Sequence, residues 1–343
     1  YDYKGISTTS GVLADDQGHG RWWGGEAQVA ATLFSRHRVI LGTEYRDNIR
    51  QDQKTFNVDP FETLIDDKSS SSVLALYLQD EFTIFRNLIL NAGLRYDHYS
   101  TFGNTVNPRL ALIYTPIEGS VLKFIYGSAF RSPNVYELYY SGLGQKSNPD
   151  LGPERIKTYE LIFEQYMGRN LHGALTGFYY TIDGLIVQVT DTDGLLVYKN
   201  LNSAEAKGVE AELEGKWDNG ITGRISYSFQ DAVDSETGKP LVNSPRNLAK
   251  ANLTVPLLRD KLFMGLEEQF TDRRKTLAGN YVKAYFLTNL TLSSQNLLKN
   301  LELSATLYNL FDYGYGDPGG EEHVQDIIHQ DGRTFRVKLT YRF

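Results

Sequence analysis

Hydrophobic and polar positions alternate through most of this chain. From Arg333 to Phe343, residues Phe335, Val337, Leu339, Tyr341 and Phe343 make one apolar face, and Thr334, Arg336, Lys338, Thr340 and Arg342 make a polar one. Successive side chains of a strand point to opposite faces, so this stretch predicts a strand with one greasy and one wet side. The same reading covers Asn87–Tyr99, where Leu88, Leu90, Ala92, Leu94 and Tyr96 oppose Asn91, Arg95 and Asp97. It also covers Gly208–Trp217, where Val209, Ala211, Leu213 and Trp217 oppose Glu210, Glu212, Glu214 and Lys216. In Lys157–Tyr166, Tyr159, Leu161 and Phe163 oppose Thr158, Glu160 and Glu164, with Ile162 out of pattern; 107–115 and 260–271 alternate less cleanly. A row of carboxylates facing a soluble core would be unusual, whereas a water-filled or plugged lumen accepts it.

Gly, Asn, Asp and Pro punctuate these runs, and the connections fall into two kinds. Short ones lie at Ser35-Arg36, Arg86-Asn87, Pro116 to Gly119, Gly168-Arg169-Asn170, Asp218-Asn219-Gly220, Arg259-Asp260 and Gln295 to Asn300. Long ones lie near 7–23, 48–71, 100–106, 129–154, 183–201, 232–244, 272–280 and 313–332. Strict alternation of short and long is what an all-β, transmembrane, up-and-down antiparallel β-barrel predicts, with short periplasmic turns and longer outer loops. The pattern gives about sixteen strands, the first running outward and the last returning inward.

Composition narrows the classes. No run of about 18 apolar residues occurs, which excludes membrane-spanning helices but not spanning strands. The chain has no cysteine, so it has neither disulfides nor a thiolate chemistry. Tyrosine, at 23 residues, outnumbers phenylalanine at 17, as interfacial girdles favour. A net charge of -7 argues against nucleic acid as a partner. No catalytic signature of the Gly-x-Ser-x-Gly or His-Glu-x-x-His type is present, and the six histidines are scattered, so the expectation is not an enzyme. Three readings remain from the residues alone: a complete sixteen-stranded passive porin, the carboxy-terminal part of a larger barrel, and an outer-membrane enzyme or adhesin.

The junctions between strands add more. Ser128-Ala129-Phe130-Arg131-Ser132-Pro133-Asn134-Val135-Tyr136-Glu137-Leu138-Tyr139-Tyr140 resembles a signature of TonB-dependent outer-membrane receptors. So do Asn148-Pro149-Asp150-Leu151-Gly152-Pro153-Glu154 with Lys157-Thr158-Tyr159-Glu160, Val106-Asn107-Pro108-Arg109-Leu110, and Asn200-Leu201 with Gly208-Val209-Glu210. Ser244-Pro245-Arg246-Asn247, Asn309-Leu310-Phe311-Asp312 and the terminal Tyr341-Arg342-Phe343 continue the series in family order. The resemblance covers 106–343 by motif and 1–105 by layout. It implies a Gram-negative cell outer-membrane location and a barrel of about 22 strands around an amino-terminal plug. Uptake would be energised by the TonB complex through that plug. The expected organisation is residues 1–343 as a partial receptor barrel, with the plug and leading strands not in this sequence. The implied function is active uptake of a metal chelate, a ferric siderophore first, and cobalamin or another scarce nutrient as the alternative. Outer-membrane lipid, lipopolysaccharide and the barrel assembly machinery are the other implied partners, and no cofactor is expected.

Candidate ligand-binding residues are Arg131, Tyr136, Tyr139 and Tyr140, because tyrosine stacks flat groups and arginine pairs with an anionic chelate. The plainer reading is that this motif packs the base of a loop. Arg273 and Arg274 form a second cationic pair, with lipopolysaccharide phosphate or bulk solvent as alternatives. Glu321, Glu322, His323 and His329 are weak candidates for a divalent ion, their spacing demanding none. Glu210, Glu212 and Glu214 are expected to pair across the lumen or with the plug. Phe335, Val337, Leu339, Tyr341 and Phe343 make the assembly signal that the resemblance implies.

Overall fold

The structure is a computed structural model and describes residues 1–9, 12–142, 144–258, 261–298, 300–320 and 323–342. Phe343, Glu321, Glu322 and the Arg259-Asp260 turn lie outside the described residues. Among the described residues, seventeen strands belong to the main sheet; one is a six-residue strand, Glu62–Asp67, and the other sixteen match the count expected from alternation. Packing divides the chain into two compact units: Tyr1–Ile113, Ile125–Tyr159 and Thr181–Ala204 in the first, and Tyr114–Phe124, Glu160–Tyr180 and Glu205–Phe343 in the second.

The first unit begins with β1 (Asp2–Thr9), β2 (Val12–Leu33), β3 (His37–Asn57), β4 (Glu62–Asp67), β5 (Ser71–Phe85) and β6 (Leu88–Tyr99). Each long strand pairs antiparallel with the next, β4 folding back on the far end of β3. Register lines Val29 up with Leu41, Leu41 with Leu78, and Leu78 with Leu94. This row across four strands is exposed. The opposite face is polar and internally bonded: Tyr77 donates to Glu26, and Arg95 donates to Glu44 at 2.9 Å and to Asp97 at 2.8 Å. Period-two patterning therefore assigned both faces of β6 correctly. In the three-residue β2–β3 connection, 34–36, Phe34 and Ser35 have φ of 52° and 60°, a left-handed pair that reverses the chain.

Three of the long connections differ from expectation. β1 and β2 zip to Thr9 opposite Val12, so 7–23 is a hairpin rather than a loop. β3 continues to Asn57 opposite Ala14, and much of 48–71 is strand. Between β6 and the strand starting at Gly103 only residues 100–102 intervene, so short and long do not alternate strictly there. The polar composition of 12–20 and 47–57 reads as loop, but their backbone groups bond across the hairpin, which satisfies donors that a free loop leaves to water.

In the second unit Thr222–Asp234, Asn247–Leu258, Leu262–Thr271, Tyr285–Leu298, Leu301–Tyr308 and Thr334–Tyr341 form an antiparallel ladder in that order. Leu253, Leu266, Leu290, Leu307 and Phe335 stand side by side across it. On the final strand, Phe335, Val337, Leu339 and Tyr341 are exposed on this apolar face. The carboxylates of Ser203–Lys216 are satisfied locally rather than at a distance. Arg224 holds Glu212 at 2.5 Å, Lys216 holds Glu214 at 2.9 Å, and Ser228 donates to Glu210 at 3.2 Å. The neighbouring strand supplies Arg224 and Ser228 and the same strand supplies Lys216, so the expected pairing across the lumen is not needed for these three.

Candidate functional site

The one helix among the described residues was not expected from alternation. It is α1 (Val135–Tyr139), and its residues explain it. Pro133 stops the preceding strand, and Asn134 caps the helix: its side chain accepts from Glu137 N at 2.9 Å, while the Glu137 carboxylate accepts from Asn134 N at 2.8 Å. Leu138 is buried and seats the turn, and its carbonyl accepts from Asn148 N at 3.0 Å. Gln53 of β3 donates to the Val135 carbonyl at 3.1 Å.

Arg131 braces this assembly. Its Nε and Nη2 donate to Glu154 at 2.6 and 2.8 Å, and its Nη1 donates to Glu137 at 3.0 Å. Such bidentate, charge-assisted bonds fix geometry. Glu154 also accepts from Ile186 N, at the root of the hairpin formed by Ile186–Thr190 and Leu196–Asn200. That hairpin is tied back by Asn200, which bonds Gly152 and Gly184, and by Lys146, which meets Asp191 and Asp193 at 2.7 Å each. The motif residues on 131–154 and 200–201 thus hold loops together. Arg131, a candidate for ligand contact, has its guanidinium bonded to two carboxylates, as a residue that packs the base of a loop does.

A cavity of about 1120 Å³ opens in this unit, walled by β2, β3 and the 132–140 segment. Tyr136, Tyr139 and Tyr140 all line it. The rings of Tyr136 and Tyr140 lie 4.3 Å apart, with Tyr198 edge-on to Tyr136 at 6.1 Å. Burial raises the Tyr136 hydroxyl above its ordinary value and pushes that of Tyr140 up to about 12, so both stay protonated and able to donate. The charges sort into paired and unpaired. Arg95 is taken by Glu44 and Asp97, and Arg50 by Asp52 at 2.5 Å. Thr55 donates to Asp16. Arg21, Arg46 and Lys54 also line the cavity, and among the described residues none of the three has a carboxylate partner. The lining carries five basic side chains against the four carboxylates Asp2, Asp16, Glu44 and Asp52, and aromatic walls with this small excess of cations suit a flat, anionic guest.

The sequence did not single out Arg21, Arg46, Lys54 or Trp22. The Trp22-Trp23 doublet among glycines was the available signal, but a tryptophan next to a tryptophan falls on opposite faces, and only register shows which one meets the cavity.

The second unit holds the remaining candidates. Arg274 is buried. It donates to Asp317 at 2.5 Å, to the Gly316 carbonyl at 3.1 Å and to Asn243 at 3.2 Å, with its guanidinium 5.5 Å from the Tyr285 ring. It ties three connections together and is not open to a ligand, which corrects its pairing with Arg273. Arg273 is exposed over the Tyr281 ring at 5.2 Å. His329 lies opposite Gly316 in a short two-stranded sheet, and His323 N bonds the Gly320 carbonyl. Among the described residues no three histidine or carboxylate groups converge for a metal ion. Asp312 and Asn309 cap the 309–333 connection: Asn309 bonds Tyr313 in both directions at 2.9 Å, and Asp312 accepts from Arg333 N at 2.7 Å.

Comparison with known proteins agrees with this fold. A family model described as TonB dependent receptor-like, beta-barrel, matches residues 1–310. The vitamin B12 transporter BtuB of Vibrio cholerae serotype O1 is 28% identical over 288 residues, 81% of this chain and 43% of that protein. The heme/hemopexin utilization protein C of Haemophilus influenzae is 23% identical over 375 residues, covering 90% of this chain and 50% of that protein. The crystal structure of the ferric enterobactin receptor PfeA of Pseudomonas aeruginosa, a G324V mutant, superposes with a TM-score of 0.76 at 21% identity, over 96% of this chain and 54% of that one. The copper transporter OprC superposes with a TM-score of 0.78 at 15% identity, over 97% and 58%. The chain thus spans about half the length of these relatives or less. Fold, strand register and family match agree that this chain belongs to the TonB-dependent receptor β-barrel family, whose members are barrels of the outer membrane.

Proposed function

We propose that residues 1–343 are the carboxy-terminal part of a receptor barrel of about 22 strands. The whole receptor imports an anionic metal chelate, a ferric siderophore, and is energised by the TonB complex acting on an amino-terminal plug. The observation that carries this reading is the cavity with three cations lacking a carboxylate partner beside Tyr136, Tyr139 and Tyr140. Arg21 and Arg46 are exposed and Lys54 is half-buried, so their charge is available to an anion that enters the cavity. A ferric chelate with several oxyanion arms supplies both the charge and the flat surface. The exposed apolar strand ending in Tyr341 serves as the assembly signal read by the barrel assembly machinery. Arg273, exposed over Tyr281, contacts lipopolysaccharide or ligand. No catalytic role is assigned.

Cobalamin is the second reading, favoured by the 28% identity to a vitamin B12 transporter. The two differ in charge. The test is equilibrium binding to the full-length receptor in detergent, with a ferric tricatecholate chelate and with cyanocobalamin, followed by uptake of radiolabelled iron in cells with and without TonB. Submicromolar binding of the ferric chelate, and uptake that depends on TonB, are expected. Tight binding of cyanocobalamin alone overturns the siderophore reading, and uptake independent of TonB overturns energised transport.

A further inference from the structure

The cavity wall contains a pair that no motif marks. Between β2 and β3 the register slips: Arg21 faces Arg50 and Trp23 faces Asp47, leaving Trp22 opposite two residues of β3. A bulge of this kind re-aims a side chain. Trp22 lines the cavity and is 58% exposed, a large apolar ring left open. The Arg46 guanidinium lies over that ring, 4.5 Å from its centroid.

What holds Arg46 there is unusual for an arginine. Its Nε donates to the Asn48 side-chain oxygen at 2.9 Å. Asn48 donates to the Ser71 hydroxyl at 2.9 Å, and Ser71 donates to the Gln51 side chain at 2.6 Å. Amides and a hydroxyl thus orient the guanidinium without neutralising it. Arg95, also on the cavity wall, has two carboxylates for the same purpose. Arg46 therefore keeps its full charge and presents a flat, pre-oriented face, backed by an aromatic ring that strengthens it through a cation–π contact.

We infer that Trp22 and Arg46 form a stacking platform that selects ligands with flat, delocalised oxyanion rings, of the catechol or aryl-carboxylate kind, over ligands with aliphatic hydroxamate arms. This rests on reading the cavity as the ligand site. The planar anion lies against the guanidinium, itself layered on the indole, and meets charge and stacking in one geometry. A tetrahedral anion meets only the charge, and a ferric trihydroxamate, neutral at its iron core, meets neither. Selectivity belongs to the pair, since lysine at position 46 would keep the charge and lose the plane.

The test uses the full-length receptor and two probes, a ferric tricatecholate and a ferric trihydroxamate. Trp22→Leu and Arg46→Lys are compared with Trp23→Leu, whose ring packs on Tyr45 at 5.4 Å and bonds Asp47. Expected are a loss of about tenfold or more in tricatecholate affinity for Trp22→Leu and Arg46→Lys, near-unchanged trihydroxamate affinity, and less than about threefold change for Trp23→Leu, each tenfold step being about 1.4 kcal/mol. Heat-modifiable gel mobility checks that the variants fold. If both chelates weaken equally, or neither does while a Lys54→Gln and Arg21→Gln pair weakens the tricatecholate, the platform is wrong and the ligand site stands. If the wild-type receptor binds neither chelate, the ligand-site reading falls and takes the platform with it.

Discussion

Placing an arginine on the apolar face of the last strand tests the assignment of faces. The strand pattern that predicts a last strand returning inward puts Tyr341, exposed at its end, at the inner interface. A strand rises about 3.4 Å per residue and, tilted by about 45°, gains about 2.4 Å of depth per residue. Leu339, two residues on, then lies about 5 Å into the hydrocarbon, and Val337 lies about 10 Å in, close to the midplane of an apolar band about 25 Å tall. Val337 is exposed opposite Ala305, and Leu339 is exposed opposite Leu303, so neither has a neighbour to hide a guanidinium. Depth-dependent costs of about 2–4 kcal/mol at the midplane apply to Val337→Arg, and about 1–2 kcal/mol to Leu339→Arg. Lys338→Glu sits on the polar face opposite Ser304 and should change stability by less than about 1 kcal/mol. The measurement is a denaturant titration of the full-length receptor refolded into phospholipid vesicles, read by tryptophan fluorescence and heat-modifiable mobility. Equal losses for Val337→Arg and Lys338→Glu, or a larger loss for Leu339→Arg than for Val337→Arg, would refute the face or the depth.

Arg274→Met should release the connections that contain Asn243, Gly316 and Asp317 by about 1–3 kcal/mol locally, seen as faster amide exchange there with little change in the main ladder. Lys146, with Thr192 N, holds the Asp191 carboxyl well below the usual carboxylate range. Its folded value is depressed, so its stabilisation is present above the unfolded value of 3.8 and fades as pH falls below it. Acidification through that window should expose the segment around Lys146 to an acid-active protease, and Lys146→Met should weaken the pH dependence, Thr192 N and Lys199 remaining as partners of Asp191. A cysteine label at residue 193 should react on intact cells, and one at residue 219 only after the outer membrane is opened; the reverse pattern would invert the topology.

Much of the fold was legible because lipid and lumen impose a period of two without exceptions large enough to hide it. Leu94 against Arg95 is such a step, and so is Leu213 against Glu212. Where both faces meet water, as in 12–20 and 47–57, the period carries no signal, and hairpins there read as loops. The site was half legible for a similar reason. Tyr136, Tyr139 and Tyr140 stand in a recognisable motif, and all three reach the cavity. Arg131 and Arg274 stand out as cations, but whether a cation is spent on a carboxylate depends on residues distant in the chain: Glu154 for Arg131, and Asp317 for Arg274. Arg46 looked ordinary, and its partners Asn48 and Ser71 decide its role only once β3 and β5 are in register.

β2 and β3 run 22 and 21 residues, about twice what a tilted strand needs to cross hydrocarbon. The surplus is zipped hairpin, bonded rung by rung and knitted to β1 and β4. A protease needs a stretch of extended, unpaired backbone to cleave, and this segment offers one only when several rungs open together. An antibody raised against a linear peptide from 12–20 or 47–57 should likewise fail on the native surface, since many of these residues line the cavity and the backbone is occupied. The zipped part of this wall is therefore hidden from sequence-reading agents while one side of it opens on the cavity.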